Sequence, residues 1–152
     1  DRSNIDGSII GAMVEAGLYG LTLTGAYNQV SVKDGKEIFE GFGGGSSYTN
    51  LDTVTAGTLH DGTYGDGKSF IIGAAYEIAG FNIFGAYGDY KADAIFGGTK
   101  AHVTEMNFGL EYEYNDGEAD AAIVYVIGDD KESSAKTDFD NDRMQVVLNY
   151  NF

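Results

Sequence analysis

From Glu105 to Tyr114 the chain alternates without a break: Met106, Phe108, Leu110, Tyr112 and Tyr114, with Glu105, Asn107, Gly109, Glu111 and Glu113 between them. A period of two puts successive side chains on opposite faces of a strand. A helix would merge Leu110, Glu111 and Tyr114 into one mixed surface, so the segment reads as a strand with one apolar and one polar face. The last residues repeat the pattern, with Met144, Val146, Leu148, Tyr150 and Phe152 alternating with Arg143, Gln145, Val147, Asn149 and Asn151. Seven strands are expected, at about 8–16, 19–30, 69–78, 81–90, 102–114, 118–127 and 142–152. Their apolar faces include Ile10, Ala12, Val14 and Ala16, then Leu21, Leu23, Gly25 and Tyr27, then Phe70, Ile72, Ala74, Tyr76 and Ile78. Phe81, Ile83, Gly85 and Tyr87 follow, then Ala119, Ala121, Ile123, Tyr125 and Ile127, and no position on these faces is charged.

The connections alternate as well. Gly17-Leu18, Ala79-Gly80 and Asn115-Asp116-Gly117 are expected hairpin turns, with the glycines that positive φ favours. The segments at about 31–68, 91–101 and 128–141 are long, polar and acidic. Short turns at one end and long loops at the other are the signature of an up-and-down transmembrane β-barrel, and strands of ~10 residues match a bilayer core. No linker divides residues 1–152, so a single barrel unit is expected.

Composition removes other classes. The chain has 152 residues, 24 Asp+Glu against 9 Lys+Arg, a formal charge of -15, and no Cys or Pro. Such a chain repels phosphate backbones, so no nucleic-acid partner is expected. Without Cys there is no disulfide and no thiolate site. Asp1 opens the sequence without a basic-then-apolar signal segment, as expected of a processed chain or a fragment. A soluble lipocalin-like barrel alternates just as regularly but turns its apolar face inward. Against it stand aromatics at strand ends: Tyr19, Tyr76, Phe81, Tyr112, Tyr114, Tyr150 and Phe152 near the short turns, Tyr27 and Tyr87 toward the other rim. Ala and Gly on the apolar face are also easier to accommodate against lipid than in a close-packed core.

Val146-x-Leu148-x-Tyr150-x-Phe152 resembles the C-terminal strand of Gram-negative outer-membrane proteins. The stretches Tyr48-Thr49-Asn50-Leu51-Asp52, Asp66-Gly67-Lys68-Ser69-Phe70 through Tyr76, and Ala86-Tyr87-Gly88-Asp89-Tyr90 resemble the last third of porins, nearest to the Campylobacter-type major outer-membrane porins. The resemblance implies a homotrimeric, water-filled pore in the bacterial outer membrane that passes small hydrophilic solutes and performs no enzymatic chemistry. It implies contact with membrane lipid and lipopolysaccharide, and recognition of Val146, Leu148, Tyr150 and Phe152 by the barrel assembly machinery. Strand parity adds a constraint. If the C-terminus is periplasmic, as in that family, strands one and seven run the same way, whereas bacterial single-chain barrels close with even strand numbers. The chain is therefore expected to be the C-terminal part of a larger barrel of about 16–18 strands.

By parity the pore-lining candidates are Glu15, Glu77, Glu105, Glu111, Glu113, Glu118 and Asp120, with Arg143 as the clear cation. Glu113 is expected opposite Glu118 and Glu111 near Asp120, crowding four carboxylates that need water or counterions. A carboxylate-lined mouth concentrates cations, so a cation-preferring channel follows. Small residues on this face (Gly73, Ala75, Ala86, Gly88 and Gly109) suggest open space, which argues against a plugged, non-conducting anchor or adhesin. Within 31–68, the run 41–47 (GFGGGSS) is the candidate for a loop folded into the lumen. Asp138-x-Asp140-x-Asp142 leaves room only for weak calcium binding, because Arg143 stands where a calcium loop needs Gly. No other cofactor is expected: His60 and His102 lack companions for a metal site, and Gly43-Gly44-Gly45 lacks the Lys-Ser/Thr of a phosphate loop.

Overall fold

The computed structural model describes residues 6–33, 48–49, 51, 64–94, 100–114, 119–131 and 142–150. Among them run seven strands and no helix: β1 (Gly7–Leu18), β2 (Leu21–Val32), β3 (Tyr64–Ile78), β4 (Phe81–Ala94), β5 (Ala101–Tyr114), β6 (Ala119–Asp130) and β7 (Asp142–Tyr150). Each pairs antiparallel with its neighbour in sequence, giving one meander whose order is β1 to β7. The sheet is not closed on itself, and β1 and β7 form its two edges.

The register carries the alternation across the whole sheet. One line of cross-strand partners reads Ala16, Leu23, Ala74, Gly85, Phe108, Tyr125 and Met144. The next line, one residue along and facing the other way, reads Glu15, Thr24, Gly73, Ala86, Asn107, Val126 and Arg143. A one-residue slip would exchange these two sets, so the pattern pins the pairing.

Two turns use consecutive positive φ angles, the signature of type I′ hairpins whose twist matches that of the strands. Ala79 and Gly80 (φ 53° and 79°) turn where expected. The first hairpin differs from expectation: the turn is Tyr19-Gly20 (φ 49° and 81°), while Gly17 and Leu18 stay paired in β1. Gly20 is required there, because a Cβ would lie 2.7 Å from the Glu77 carbonyl oxygen. That crowding comes from the bond the Glu77 N–H donates to the Gly20 carbonyl at 2.8 Å.

The strands also run further than the alternation indicates. Pairing continues through Gly7–Val32, Tyr64–Ala94, Ala92–Ala101 and Val103–Asp130, inside the stretches read as loops 31–68, 91–101 and 128–141. Backbone ladders do not need apolar side chains, so the apolar pattern ends before the strands do.

Burial is inverted relative to a water-soluble sheet. Large side chains of the apolar face are open, from Ile10 (72% exposed) to Leu148 (76%). The polar face is the covered one: Asn28, Ser69, Glu105 and Asn107 are buried there beside Ala26, Val30, Ile71, Tyr90, Val103 and Val126. Thr49 and Leu51 contribute to that cover. Thr49 is fully buried, its hydroxyl 2.6 Å from that of Ser69, and the Tyr90 hydroxyl donates to its carbonyl at 2.5 Å. Leu51 packs on the cluster of Ala26, Ile71, Tyr90, Ala92 and Ala101.

Candidate functional site

Residues from β1 to β6 line a cavity of about 1160 Å³ at the short-turn end, polar-face side chains together with Leu18, Leu21, Phe81 and Tyr112 at its rim. Glu77, Glu111, Glu113 and Asp120 border it, with Thr22 and Asn82. Two carboxylates are held by cross-strand amides: Asn82 Nδ2 donates to Glu111 Oε2 at 2.9 Å, and Asn149 Nδ2 to Asp120 Oδ2 at 2.7 Å. Each amide opposes its carboxylate in register, which is why a single rotamer reaches. These bonds fix two of the negative groups at the mouth without neutralising them.

The acidic hairpin differs from expectation by its register. Tyr114 pairs with Ala119 and Glu113 with Asp120, while Glu111 faces Ala122 and lies diagonal to Asp120. Four residues, 115–118, separate the paired ends, where a three-residue turn had been expected, and loop length sets hairpin register. Glu118 falls outside the described residues. Glu15 opposes Thr24 and Arg143 opposes Val126, both on the polar face.

Glu105 shares that face but not the open mouth: it is 1% exposed, with Gly88 and Gly128 as its cross-strand neighbours. Next along the face, Asn107 is buried and its Oδ1 accepts no hydrogen bond from the described residues. The glycines read as open space are partly filled. A Cβ at Gly88 would strike the Tyr90 ring, and one at Gly109 would lie 2.7 Å from the Phe84 ring. These glycines make room for aromatics that fold over them. The upper half of the polar face is thus packed and the short-turn half is open.

Thr49, Ser69 and Leu51 were not singled out from the sequence as functional. No spacing rule links residues 41 positions apart, as Tyr90 and Thr49 are. The glycine run 41–47, proposed for that inward fold, lies outside the described residues.

The opposite face carries aromatics at two heights. Phe81 and Tyr112 pair near the short turns with ring centroids 4.6 Å apart; Phe70 and Tyr87 pair higher, at 6.2 Å. Val146, Leu148 and Tyr150 stand exposed on β7 on this face, and Phe152 is outside the described residues. Asp142 is also there, its Oδ2 accepting from the Tyr125 hydroxyl at 2.9 Å, while Asp138 and Asp140 fall outside the described residues. Among the described residues no three His, Cys, Asp or Glu are grouped to hold a metal ion. His60 is outside them, and His102 pairs with Asp89 at 3.0 Å. Comparisons with protein-family models, with curated proteins and with solved structures return no match for this chain.

Proposed function

We propose that this sheet is a wall of an outer-membrane β-barrel porin, the C-terminal part of a larger barrel that passes small hydrophilic solutes and ions by passive diffusion. The observation that carries the reading is the band of apolar side chains left open across all seven strands, with charges such as Lys68, Lys91 and Asp142 only at its long-connection rim, backed by an acid-lined cavity. Its height fits a membrane. From Phe81 to Lys91 the chain advances ten residues. That is ~34 Å along the strand, or ~24–28 Å along the membrane normal at the 35–45° tilt of such barrels, against an apolar band of ~25 Å. In water the same face would be an aggregation surface. A soluble ligand-binding barrel would have the opposite polarity, with its apolar residues covered.

The carboxylates at the mouth give the channel its cation preference, because like charges lining a narrow aqueous space raise the local cation concentration. Homotrimeric assembly in the bacterial outer membrane, contact with lipid and lipopolysaccharide, and delivery by the barrel assembly machinery through the last strand belong to the same proposal. Planar-bilayer recording of detergent-extracted natural protein under a salt gradient tests it. The expected result is discrete conductance steps with a cation-favouring reversal potential, reduced in a variant carrying E111Q, E113Q and D120N. Zero or anion-favouring selectivity would refute the acidic-mouth mechanism. Protein that inserts without conducting would favour a second reading, a plugged barrel serving as anchor or adhesin. The packing of Thr49, Leu51 and Tyr90 against the polar face is what recommends that alternative.

A further inference from the structure

The apolar face ends, on the long-connection side, in a row of cations. Gln29, Lys68, Lys91 and His102 are successive cross-strand partners from β2 to β5. Lys131 continues the line, its N–H bonded to the His102 carbonyl at 2.8 Å. Two of the nine Lys+Arg of a chain with charge -15, Lys68 and Lys91, therefore stand directly opposite each other, with Lys131 beyond His102. Like charges directly opposite each other on a sheet are destabilising, so the row calls for an anion.

Nearby carboxylates supply that only in part. Asp66 Oδ1 accepts the Val32 N–H at 2.6 Å, Asp93 pairs with Lys100 at 2.9 Å, Asp129 pairs with Lys131, and Asp89 is shared between His102 (3.0 Å) and Lys91 (3.6 Å). Lys68 faces Lys91 directly, and its ammonium has no ion pair or hydrogen bond among the described residues. A cavity of about 460 Å³ opens at this point, lined by Lys68, Lys91 and Lys100 together with Asp66, Asp93 and Gln29.

Below the row, past the Phe70–Tyr87 ring pair, lies an apolar groove of about 610 Å³. Leu23, Ile72, Met106 and Phe108 wall it, and Ala74 and Gly85 form its floor. Glycine is not demanded there by the fold. Gly85 and the neighbouring Gly25 have no positive φ. A Cβ on Gly25 would meet nothing within 4 Å, and one on Gly85 only the Asn107 carbonyl oxygen at 3.8 Å. What the missing side chains provide is the depth of the groove.

We propose that these two features form one binding site for a phosphorylated lipid: its phosphate bridges Lys68 and Lys91, and one acyl chain descends past Phe70 and Tyr87 onto Gly85. The inference rests on the membrane reading above. The geometry agrees in depth. Lys91 and Gly85 are six residues apart on β4. That is ~20 Å along the strand and ~14–16 Å along the normal, close to half of a ~30 Å hydrocarbon core. A chain hanging from a headgroup at Lys91 therefore reaches the groove floor near the bilayer midplane. Charge complementarity selects the headgroup, and a zwitterionic lipid lacks the free anion that Lys68 requires.

The test has two stages on the full chain. Flotation with neutral phosphatidylcholine vesicles comes first, for wild type, K68Q/K91Q, G85L and K33Q. All four are expected to float; a wild type that stays in solution refutes the membrane reading and this site with it. Native mass spectrometry from detergent micelles then follows retention of phosphatidic acid, phosphatidylcholine or inorganic phosphate. Wild type and K33Q, whose Lys33 pairs with Asp6 elsewhere, are expected to hold one phosphatidic acid. K68Q/K91Q should lose affinity about thirtyfold, from the effect of two lysines at a lipid surface. G85L should weaken binding by filling the groove while leaving the phosphate site intact. Floating K68Q/K91Q protein that retains phosphatidic acid like wild type overturns the proposal. Equal retention of phosphatidylcholine overturns the phosphate clamp, and displacement by inorganic phosphate at equal concentration overturns the acyl half.

Discussion

Leu23→Arg separates a lipid-facing surface from a merely exposed one. Leu23 lies on β2 in register with Ala74 and Gly85, half-way down the uncharged band, and is 50% exposed. Were that surface in water, an arginine there would change stability by no more than about 0.5 kcal/mol, as at ordinary surface sites. Facing hydrocarbon near the midplane, the same charge costs about 2–4 kcal/mol, while at the interface the cost falls to about 0–1 kcal/mol. Two companion variants calibrate the number. Gln29→Arg sits in the cation row on the same strand and face, and Thr24→Arg is the adjacent residue on the opposite face. Urea unfolding of protein reconstituted in phospholipid vesicles should give the order L23R far below wild type, with Q29R and T24R each within about 1 kcal/mol of it. That is a ratio of about thirty to a thousand in the folding equilibrium for one variant and less than tenfold for the others. If L23R is neutral, or if T24R costs as much, the apolar face does not meet lipid and the barrel reading fails.

Two further outcomes follow from local geometry. Ala79 is an exposed L-residue at φ 53°, a conformation that costs roughly 1–2 kcal/mol, so Ala79→Asn, which gives the favoured Asn-Gly turn, should stabilise by about 0.5–1 kcal/mol. An unchanged or lowered urea midpoint would show that the turn conformation is not limiting. Tyr90→Phe removes the hydrogen bond to the Thr49 carbonyl and should cost about 1–3 kcal/mol, because that acceptor is buried. In bilayer recordings it should also raise conductance or gating noise if Thr49 and Leu51 narrow the bore, and identical traces would make their packing purely structural.

The antiparallel all-β sheet was legible in the sequence because alternation is a property of side chains alone. Glu105 to Tyr114 could be assigned to two faces without any knowledge of a partner, and the register repeats that assignment across β4, β5 and β6. What alternation does not encode is where pairing stops, since the ladder near Val32 and Asp130 is backbone-made. Turn position escaped for a related reason. Gly17 looks like a turn glycine, yet Gly20 is the one that meets a neighbouring strand, through Glu77. At the site, parity put the acids on one face but said nothing about cover. Glu105 and Glu111 have the same parity and strand, and only the folded chain separates a buried carboxylate from one at an open mouth. The glycines opposite Tyr90 and Phe84 misled similarly, because a missing side chain leaves either a void or a seat for a ring.

The two edges carry the remaining argument. β1 has a single charge, Glu15, in twelve residues, and β7 has only Asp142 and Arg143 at its start. Long uncharged edges without lysine, proline or a bulge are templates for further pairing. The strand that completes them cannot come from the opposite edge. β1 leads into the Tyr19-Gly20 turn and β7 runs in the same sense five antiparallel reversals after β2, so β1 against β7 would be a parallel pair. A second copy in the same orientation meets the same obstacle, since its β1 would again lie parallel to β7. Antiparallel closure therefore needs an odd number of additional strands of different sequence, entering at the short-turn end and leaving at the long-connection end, where β1 begins. On the proposed reading those strands belong to the same polypeptide, ahead of β1. The mass of the natural protein extracted from membranes decides this: a value well above 16.2 kDa is required, and an intact mass at 16.2 kDa would refute it.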